Sequence, residues 1–266
     1  MPELHIVVCM KVTPKPEEIQ VDPKTMLIRR EQARSEINPP DLNAIELALQ
    51  LKDQSAARLS IVSMGPPFFE PLLRVGLAMG ADGLYLLSDR SFAGADTLAT
   101  TYVLASAVKK LGHVDLVVCG EESSDGATGQ VPAGLAEWLG WPLISLAVEA
   151  RLEDSEEGIL VTRESHGRSL VRGQMPAVLS VKSAANQPRF MDYDRKAWAF
   201  EQVPMTVWGP EDLETDAARV GLSGSPTAVT GLREADVRDR RRKRLEGSIE
   251  NVSRQLVELL DPLLRS

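Results

Sequence analysis

The sequence predicts an α/β protein. The expected architecture is a doubly wound, mostly parallel sheet with helices on both faces, an antiparallel extension, and a C-terminal arm ending in a helix. Three observations carry this expectation. Strand-like apolar runs alternate with helical stretches four times before Pro142, the pattern of β-α units joined by right-handed crossovers. The runs Leu4–Cys9, apart from His5, and Leu116–Cys119 are apolar, as strands covered on both faces are. After Pro142 the texture changes to short strand-like segments separated by turns.

Leu4–Cys9 is the first strand. A loop with Pro14 and Pro16 follows, then a turn at Asp22–Thr25 and a short hairpin strand at Met26–Arg30. Asn38-Pro39-Pro40-Asp41 is a rigid turn, and Asp41 is read as the N-cap of the next helix. That helix carries Leu42, Ile45, Ala48, Leu49 and Lys52 on one stripe. Arg58–Met64 is the second strand, stopped by Gly65-Pro66-Pro67. A helix over about Phe68–Met79 ends at Gly80. Gly83–Leu87 is the third strand, and Asp96 caps a long helix over Thr97–Leu111, closed by Gly112. Asp115–Cys119 is the fourth strand. A loop leads from it into a helix that ends near Gly140 and Pro142.

Beyond Pro142, Leu143–Glu153 and Ile159–Glu164 flank an acidic turn at 154–158. Ser169–Arg172 and the buried run Ala177–Val181 follow. This part reads as an antiparallel extension and not as a further β-α-β unit, and Thr206–Trp208 reads as an edge strand. Residues 1–210 form the expected α/β domain, with the antiparallel part over about 143–208, and 211–266 form the arm. Within the arm, Glu214–Ala228 is rich in Gly, Ser, Thr and Pro and reads as a linker. Arg238–Arg244 is a basic cluster, read as a solvated helix face or a partner contact. The last helix, Ser248–Leu264, aligns Ile249, Val252, Leu256, Leu259 and Leu263.

Composition narrows the function. The chain has 266 residues, 43% hydrophobic, and a net charge of −8. That charge does not suit nucleic acid or an anionic membrane surface. No apolar run approaches the ~18 residues of a membrane span, and the N-terminal residues lack the features of a signal peptide. A cytoplasmic location is expected. Cys9 and Cys119 each end a strand and read as buried, reduced thiols. Without a Cys-x-x-Cys or Cys/His cluster, a metal centre is not expected. His5 is placed at a strand edge, His113 and His166 in turns.

Chemistry concentrates between Gly120 and Val131. A strand that ends in a small-residue loop and enters a helix places that loop outside the carboxyl end of the sheet, where α/β proteins bind ligands. The free amides of the helix start favour an anion. Gly120 lets the chain turn. Glu121, Glu122, Ser123 and Ser124 make the polar rise of the loop. Asp125 can bond a sugar or loop amides, while Gly126 and Gly129 themselves, with Ala127 between them in the loop, allow close approach or positive φ. Thr128 and Gln130 offer a hydroxyl and an amide ahead of Val131. A plain helix cap at Asp125 or Thr128 is the alternative reading. The strand ends Cys9-Met10-Lys11, Asn38–Asp41 and Met64-Gly65-Pro66 would converge on the same crevice. An adenine nucleotide or dinucleotide is the expected ligand. The Walker, Gly-x-Gly-x-x-Gly, Gly-x-Ser-x-Gly and His-Glu-x-x-His patterns are all missing, which favours a binder or cofactor carrier over a hydrolase.

The ordered set Cys9-Met10-Lys11-Val12, Asn38-Pro39, Val62–Pro67, Leu77–Asp82, Gly120–Gln130, Leu139–Pro142, Pro176–Val178 and Asn186–Arg189 resembles the β subunit of electron transfer flavoproteins over roughly the first 210 residues. The resemblance implies an electron carrier, not an enzyme, paired with an FAD-carrying α subunit. Its β crevice would hold AMP, or a second FAD in electron-bifurcating relatives. Carried onto this chain, the nucleotide contacts are Cys9, Asn38, Pro39, Pro40, Asp41, Met64 and Gly120 to Val131. A loop around Ala184 to Arg189, including Ala185, would meet a donor dehydrogenase, and electrons would pass on to a quinone or other acceptor. Three departures mark a divergent branch: Arg163–Arg168 replaces an acidic stretch, Ala184-Ala185 stands where a leucine anchor is common, and Pro40 replaces an aromatic. A stand-alone adenine-nucleotide binder of the stress-protein type is the alternative.

Overall fold

The structure is a computed structural model that describes residues 4–15, 34–153, 158–227 and 244–264. In chain order its elements are β1 (Leu4–Cys9), β2 (Val12–Pro14), β3 (Ser35–Ile37), α1 (Pro39–Gln54), β4 (Ala57–Met64), α2 (Glu70–Met79), β5 (Gly83–Leu87), α3 (Thr97–Lys110) and β6 (Leu116–Gly120). There follow α4 (Val131–Leu139), β7 (Leu143–Leu152), β8 (Gly158–Glu164), β9 (Arg168–Gln174), β10 (Ala177–Val181), α5 (Tyr193–Glu201), β11 (Thr206–Trp208) and α6 (Ile249–Leu264). The chain divides into two compact units, Met1–Leu232 and Arg233–Ser266.

Nine strands form one sheet in the order β11-β5-β4-β1-β6-β10-β7-β8-β9. Among the described residues all its pairings are parallel except β7–β8 and β8–β9. Side chains alternate along the central strands and build two cores. Ile6, Val8, Leu59, Ile61, Leu116 and Val118 face α1, α2 and α5. Val7, Val62, Val117 and Val178 face α3 and α4. Each large aliphatic side chain fully buried in these layers contributes about 1.5–3 kcal/mol. Helices cover both faces, as expected for a doubly wound sheet.

Local chemistry sets the helix ends. α1 begins with Pro39, whose fixed φ suits a first turn and whose missing N–H is not needed there. Asp96 caps α3 by accepting from the Ala99 amide at 3.1 Å. Gly80 at φ 141° and Gly140 at φ 70° close α2 and α4. A three-residue 3-10 turn, Pro67–Phe69, leads into α2, which accounts for the helical pattern starting near Phe68.

The structure corrects five local readings. Asp41 is not the N-cap of α1. The cap position is Asn38, and Asp41 lies inside the first turn with its carboxylate turned to other strands. His5 is not at an edge: β1 is central, and the ring is buried, bonded to the His113 carbonyl and the Ser60 hydroxyl at 2.9 Å each. The run after Pro142 does complete a β-α-β crossover. β10 pairs parallel with both β6 and β7, because β7 is long enough for two partners. Its first half follows β10, and beyond an irregularity at Leu146 (φ 59°) its second half pairs antiparallel with β8. Within the nine-stranded sheet, antiparallel pairing is thus confined to the β7–β8–β9 ribbon, and β11 joins β5 in parallel. Finally, Val12–Pro14 pairs with Ser35–Ile37, where only a proline-containing loop was expected.

The fifth correction concerns the stretch read as a linker. Val220 is buried in the α3/α4 core, as is Leu213 just ahead of the stretch. Thr227 donates to Asp96 through its amide (3.1 Å) and hydroxyl (2.7 Å). Apolar residues too sparse to show a period still dock singly. In the second unit, α6 is helical as expected, with Ile249, Leu256 and Leu259 exposed. The turn at Asp22–Thr25, the strand at Met26–Arg30, residues 154–157 and all of the basic cluster but Arg244 lie outside the described residues.

Candidate functional site

The chain leaves β1 toward β4 and β5 on one side. After α3 it returns on the opposite face to resume at β6, on the other side of β1. The carboxyl ends of β1 and β6 therefore flank the topological switch point, where two connections diverge and a crevice opens. Cys9 and Cys119 are register partners at those ends. The loop Gly120–Val131 rises directly above them.

Three strand and helix ends are tied together there. The Asp41 carboxylate accepts from the Lys11 amide at 2.7 Å and the Gly120 amide at 3.2 Å. It thus clamps the end of β1, the start of α1 and the end of β6. Burial pushes its pKa up to about 7, against the bonds from Lys11, Asn38 and Gly120 that favour the anion. The Asn38 side chain spans the same gap. It donates to the Glu122 carbonyl at 2.9 Å and accepts from the Ser124 amide at 3.0 Å. The Ser124 hydroxyl bonds Thr13 Oγ1 at 3.0 Å. Pro39 and Pro40 hold this turn rigid, and a Cβ on Gly120 would stand 2.5 Å from Asp41 Oδ1 and 2.8 Å from Pro40. Only glycine permits that approach.

The loop itself presents polar groups. Lys11 Nζ bonds Asp125 Oδ1 at 2.5 Å and Ser123 Oγ at 3.2 Å. Glu121 donates its amide to the Val181 carbonyl, and its carboxylate accepts from the Ser183 amide at 3.0 Å. Thr97 Oγ1, at the start of α3, lies 3.4 Å from Thr128 Oγ1, which also accepts from the Gln130 amide at 3.4 Å. Gln130 occupies the N-cap position of α4 without a capping side-chain bond. Gly129 takes φ 61°, as its type allows, but the second left-handed residue is Ala127 at φ 45°, not Gly126.

The predicted residues thus come together with one qualification. Cys9, Asn38–Asp41 and Gly120–Val131 surround the β1/β6 ends, whereas Met64 ends β4, one strand farther from the switch point. Cys9 and Cys119 are buried and free. A hydrogen bond with Cys9 and burial push the Cys119 thiol up, so it stays protonated. Among the described residues no His/Cys/Asp/Glu group could hold a metal ion. Sequence reasoning brought Lys11 to the crevice as part of Cys9-Met10-Lys11 without giving it a contact, and passed over Thr97. Lys11 was visible as the cation directly after the first strand. Thr97 had no signal, since only the fold brings the α3 start beside the loop.

The arrangement offers groups that suit an anion. The start of α4 at Val131 carries no side-chain cap and leaves its amides open, while the α3 start is already capped by Asp96; Lys11 supplies a cation, and Ser123, Thr97 and Thr128 supply hydroxyls.

Comparison with known proteins agrees in kind. Residues 25–213 match the Electron transfer flavoprotein domain. The chain is 40% identical over 227 residues to "Caffeyl-CoA reductase-Etf complex subunit CarD" of Acetobacterium woodii, covering 85% of this chain and 86% of the relative. It is 39% identical over 226 residues to the electron transfer flavoprotein subunit beta of Clostridium acetobutylicum, with 85% and 86% covered. Protein FixA of Azorhizobium caulinodans is 40% identical over 238 residues, with 85% and 83% covered. With the domain match spanning most of the chain and these identities extending over it, the chain belongs to the electron transfer flavoprotein family, among its β subunits.

Proposed function

We propose that this chain is the β subunit of a heterodimer in which an FAD-carrying α subunit is its partner. An adenine nucleotide occupies the β1/β6 crevice, and electrons pass from a dehydrogenase to a quinone or other acceptor. The chain is a carrier subunit, not an enzyme in its own right, in keeping with its family. The observation that carries the nucleotide reading is the switch-point crevice itself, with Lys11, Asn38, Asp41 and Gly120–Val131 gathered on it. Its donor set fits an adenosine phosphate: one cation, three hydroxyls, and the uncapped start of α4. The closeness of Gly120 to Asp41 leaves backbone in place of side chain at the floor.

AMP would serve as a structural ligand. A second FAD would present the same adenosine phosphate and add flavin redox chemistry at the crevice. In either case the chain's own work is to bind and orient the adenosine phosphate. Lys11 exchanges part of its pairing with Asp125 for the phosphate, and the Asn38 bonds fix the loop above it. The loop at Ala184–Arg189 would face the donor dehydrogenase. A cytoplasmic location fits the absence, among the described residues, of a helix long and apolar enough to cross a membrane.

Co-expression with the α subunit tests this reading. The expected product is a yellow heterodimer whose FAD and AMP can be counted after denaturation. One of each indicates simple electron transfer, and two FAD without AMP indicates a second flavin in the crevice. A colourless, nucleotide-free monomer recovered under those conditions would contradict it.

A further inference from the structure

Hydrogen bonds run from the crevice elements to a second surface. The loop that follows β10 is anchored at both ends by contacts remote from the nucleotide loop. Lys182 pairs with Glu164 of β8 at 2.6 Å. Arg189 holds Glu46 of α1 through its amide (3.0 Å) and its guanidinium (2.9 Å). Between these anchors, residues 183–186 depend on the crevice elements. The Ser183 amide donates to Glu121, the first residue after β6. The Ala184 amide donates to Asn43 Oδ1 at 3.2 Å. Asn43 Nδ2 donates to the Asn186 carbonyl at 2.8 Å, and Asn186 Nδ2 returns a bond to the Asn43 carbonyl at 3.0 Å. Asn43 lies one helical turn beyond Asn38–Asp41, the turn that grips the nucleotide loop. Ala184 sits at φ 59°, a left-handed conformation that a non-glycine residue leaves readily unless held.

We infer that occupancy of the β1/β6 crevice sets the conformation of residues 183–186, with Glu121 and Asn43 as the connecting side chains and Ala184 as the two-state element. A ligand that fixes the Gly120–Val131 loop fixes Glu121, and one that fixes the Asn38 turn fixes the start of α1. Both hold Ala184 left-handed. Without the ligand the clamp loosens and Ala184 relaxes toward negative φ. The surface presented to a docking partner thereby reports whether the crevice is filled. By reciprocity, a partner that grips residues 183–186 tightens nucleotide binding by the same factor. This inference rests on the nucleotide reading of the crevice.

The test is residue-resolved amide hydrogen exchange on the co-expressed heterodimer, freed of exchangeable nucleotide, with and without saturating AMP. AMP binding is measured in parallel by calorimetry. The expected result is slowing of the Ser183 and Ala184 amides by about fivefold or more, the lower end of ordinary site-to-site coupling, with the Arg189 amide unchanged. Asn43→Ala removes the response, and retained Arg189 protection shows that its fold is intact. Ala184→Gly, which enters the left-handed region without alanine's steric cost, also removes it. If AMP binds and the Ser183 and Ala184 amides exchange as before, the coupling is overturned while the nucleotide reading stands. If neither AMP nor FAD binds at the crevice, both fall. A wild-type response in Ala184→Gly overturns the role of Ala184 and with it the inference.

Discussion

Asp41 is a carboxylate with almost no water around it and two backbone amides from different strands pointed at it. Its pKa, raised by burial from the usual 3.8 to about 7, makes it a source of pH dependence. The unfolded carboxyl loses its proton near 3.8 and the folded one near 7. In that window the folded state holds the extra proton, so its contribution to stability declines as pH rises and is gone above 7. His5, whose pKa is lowered by burial, acts in the opposite direction near its own range, so the comparison must be between variants. Denaturant titrations at pH 5 and pH 8 are expected to show Asp41→Asn gaining about 2–3 kcal/mol on wild type at the higher pH. Equal differences at both values would count against a buried titrating Asp41. Ala127, at φ 45°, supplies a second residue-scale prediction. Ala127→Gly relieves a left-handed alanine and raises stability by about 1 kcal/mol, read from the same titrations. Neither fact was legible in the sequence. Asp after Pro-Pro has the form of an N-cap, and only the approach of β1 and β6 shows where its carboxylate points. Gly126 was the natural residue for positive φ, yet the Ala127-to-Ser123 turn bond places the strain one residue on.

At the scale of elements, the site depends on how closely α1 meets the end of β6. Gly120→Ala would drive a methyl into Asp41 and Pro40. The expected cost is about 1–3 kcal/mol of stability, with weaker AMP binding in calorimetry than any effect of Gly167→Ala, whose Cβ would meet nothing within 4 Å. The α3 start makes a second junction. Asp96→Ala removes the cap on Ala99 and both Thr227 bonds, and should lower stability by about 1 kcal/mol. It should also expose residues 220–227 to proteolysis before the rest of the domain. The alternation of strands and helices before Pro142 was legible because buried strands and amphipathic helices leave periodic traces. The dual role of β7 was not: one apolar run can pair parallel along half its length and antiparallel along the other half, and periodicity is the same in both. The docking of 213–227 was also hidden, because two isolated buried side chains, Leu213 and Val220, make no pattern.

For the whole molecule, the order of strands converts a list of weak loop motifs into one place. Cys9-Met10-Lys11, Asn38–Asp41 and Gly120–Val131 lie far apart in the chain and meet only because the connections diverge between β1 and β6. Sequence reasoning reached that gathering by assuming a doubly wound sheet, and the sheet is doubly wound. It placed Met64 with the rest although β4 stands one strand removed, since strand-end motifs carry no information on strand order. The central claim is that the crevice between β1 and β6 is where the adenine nucleotide sits. Photolabelling the heterodimer with 8-azidoadenosine monophosphate, followed by peptide mapping, tests it most directly. Label competed away by AMP and confined to peptides containing Cys9–Lys11, Asn38–Asp41 or Gly120–Val131 is the predicted result. Competable label on this chain confined to other peptides, such as those of α5 or the β8–β9 ribbon, would contradict it.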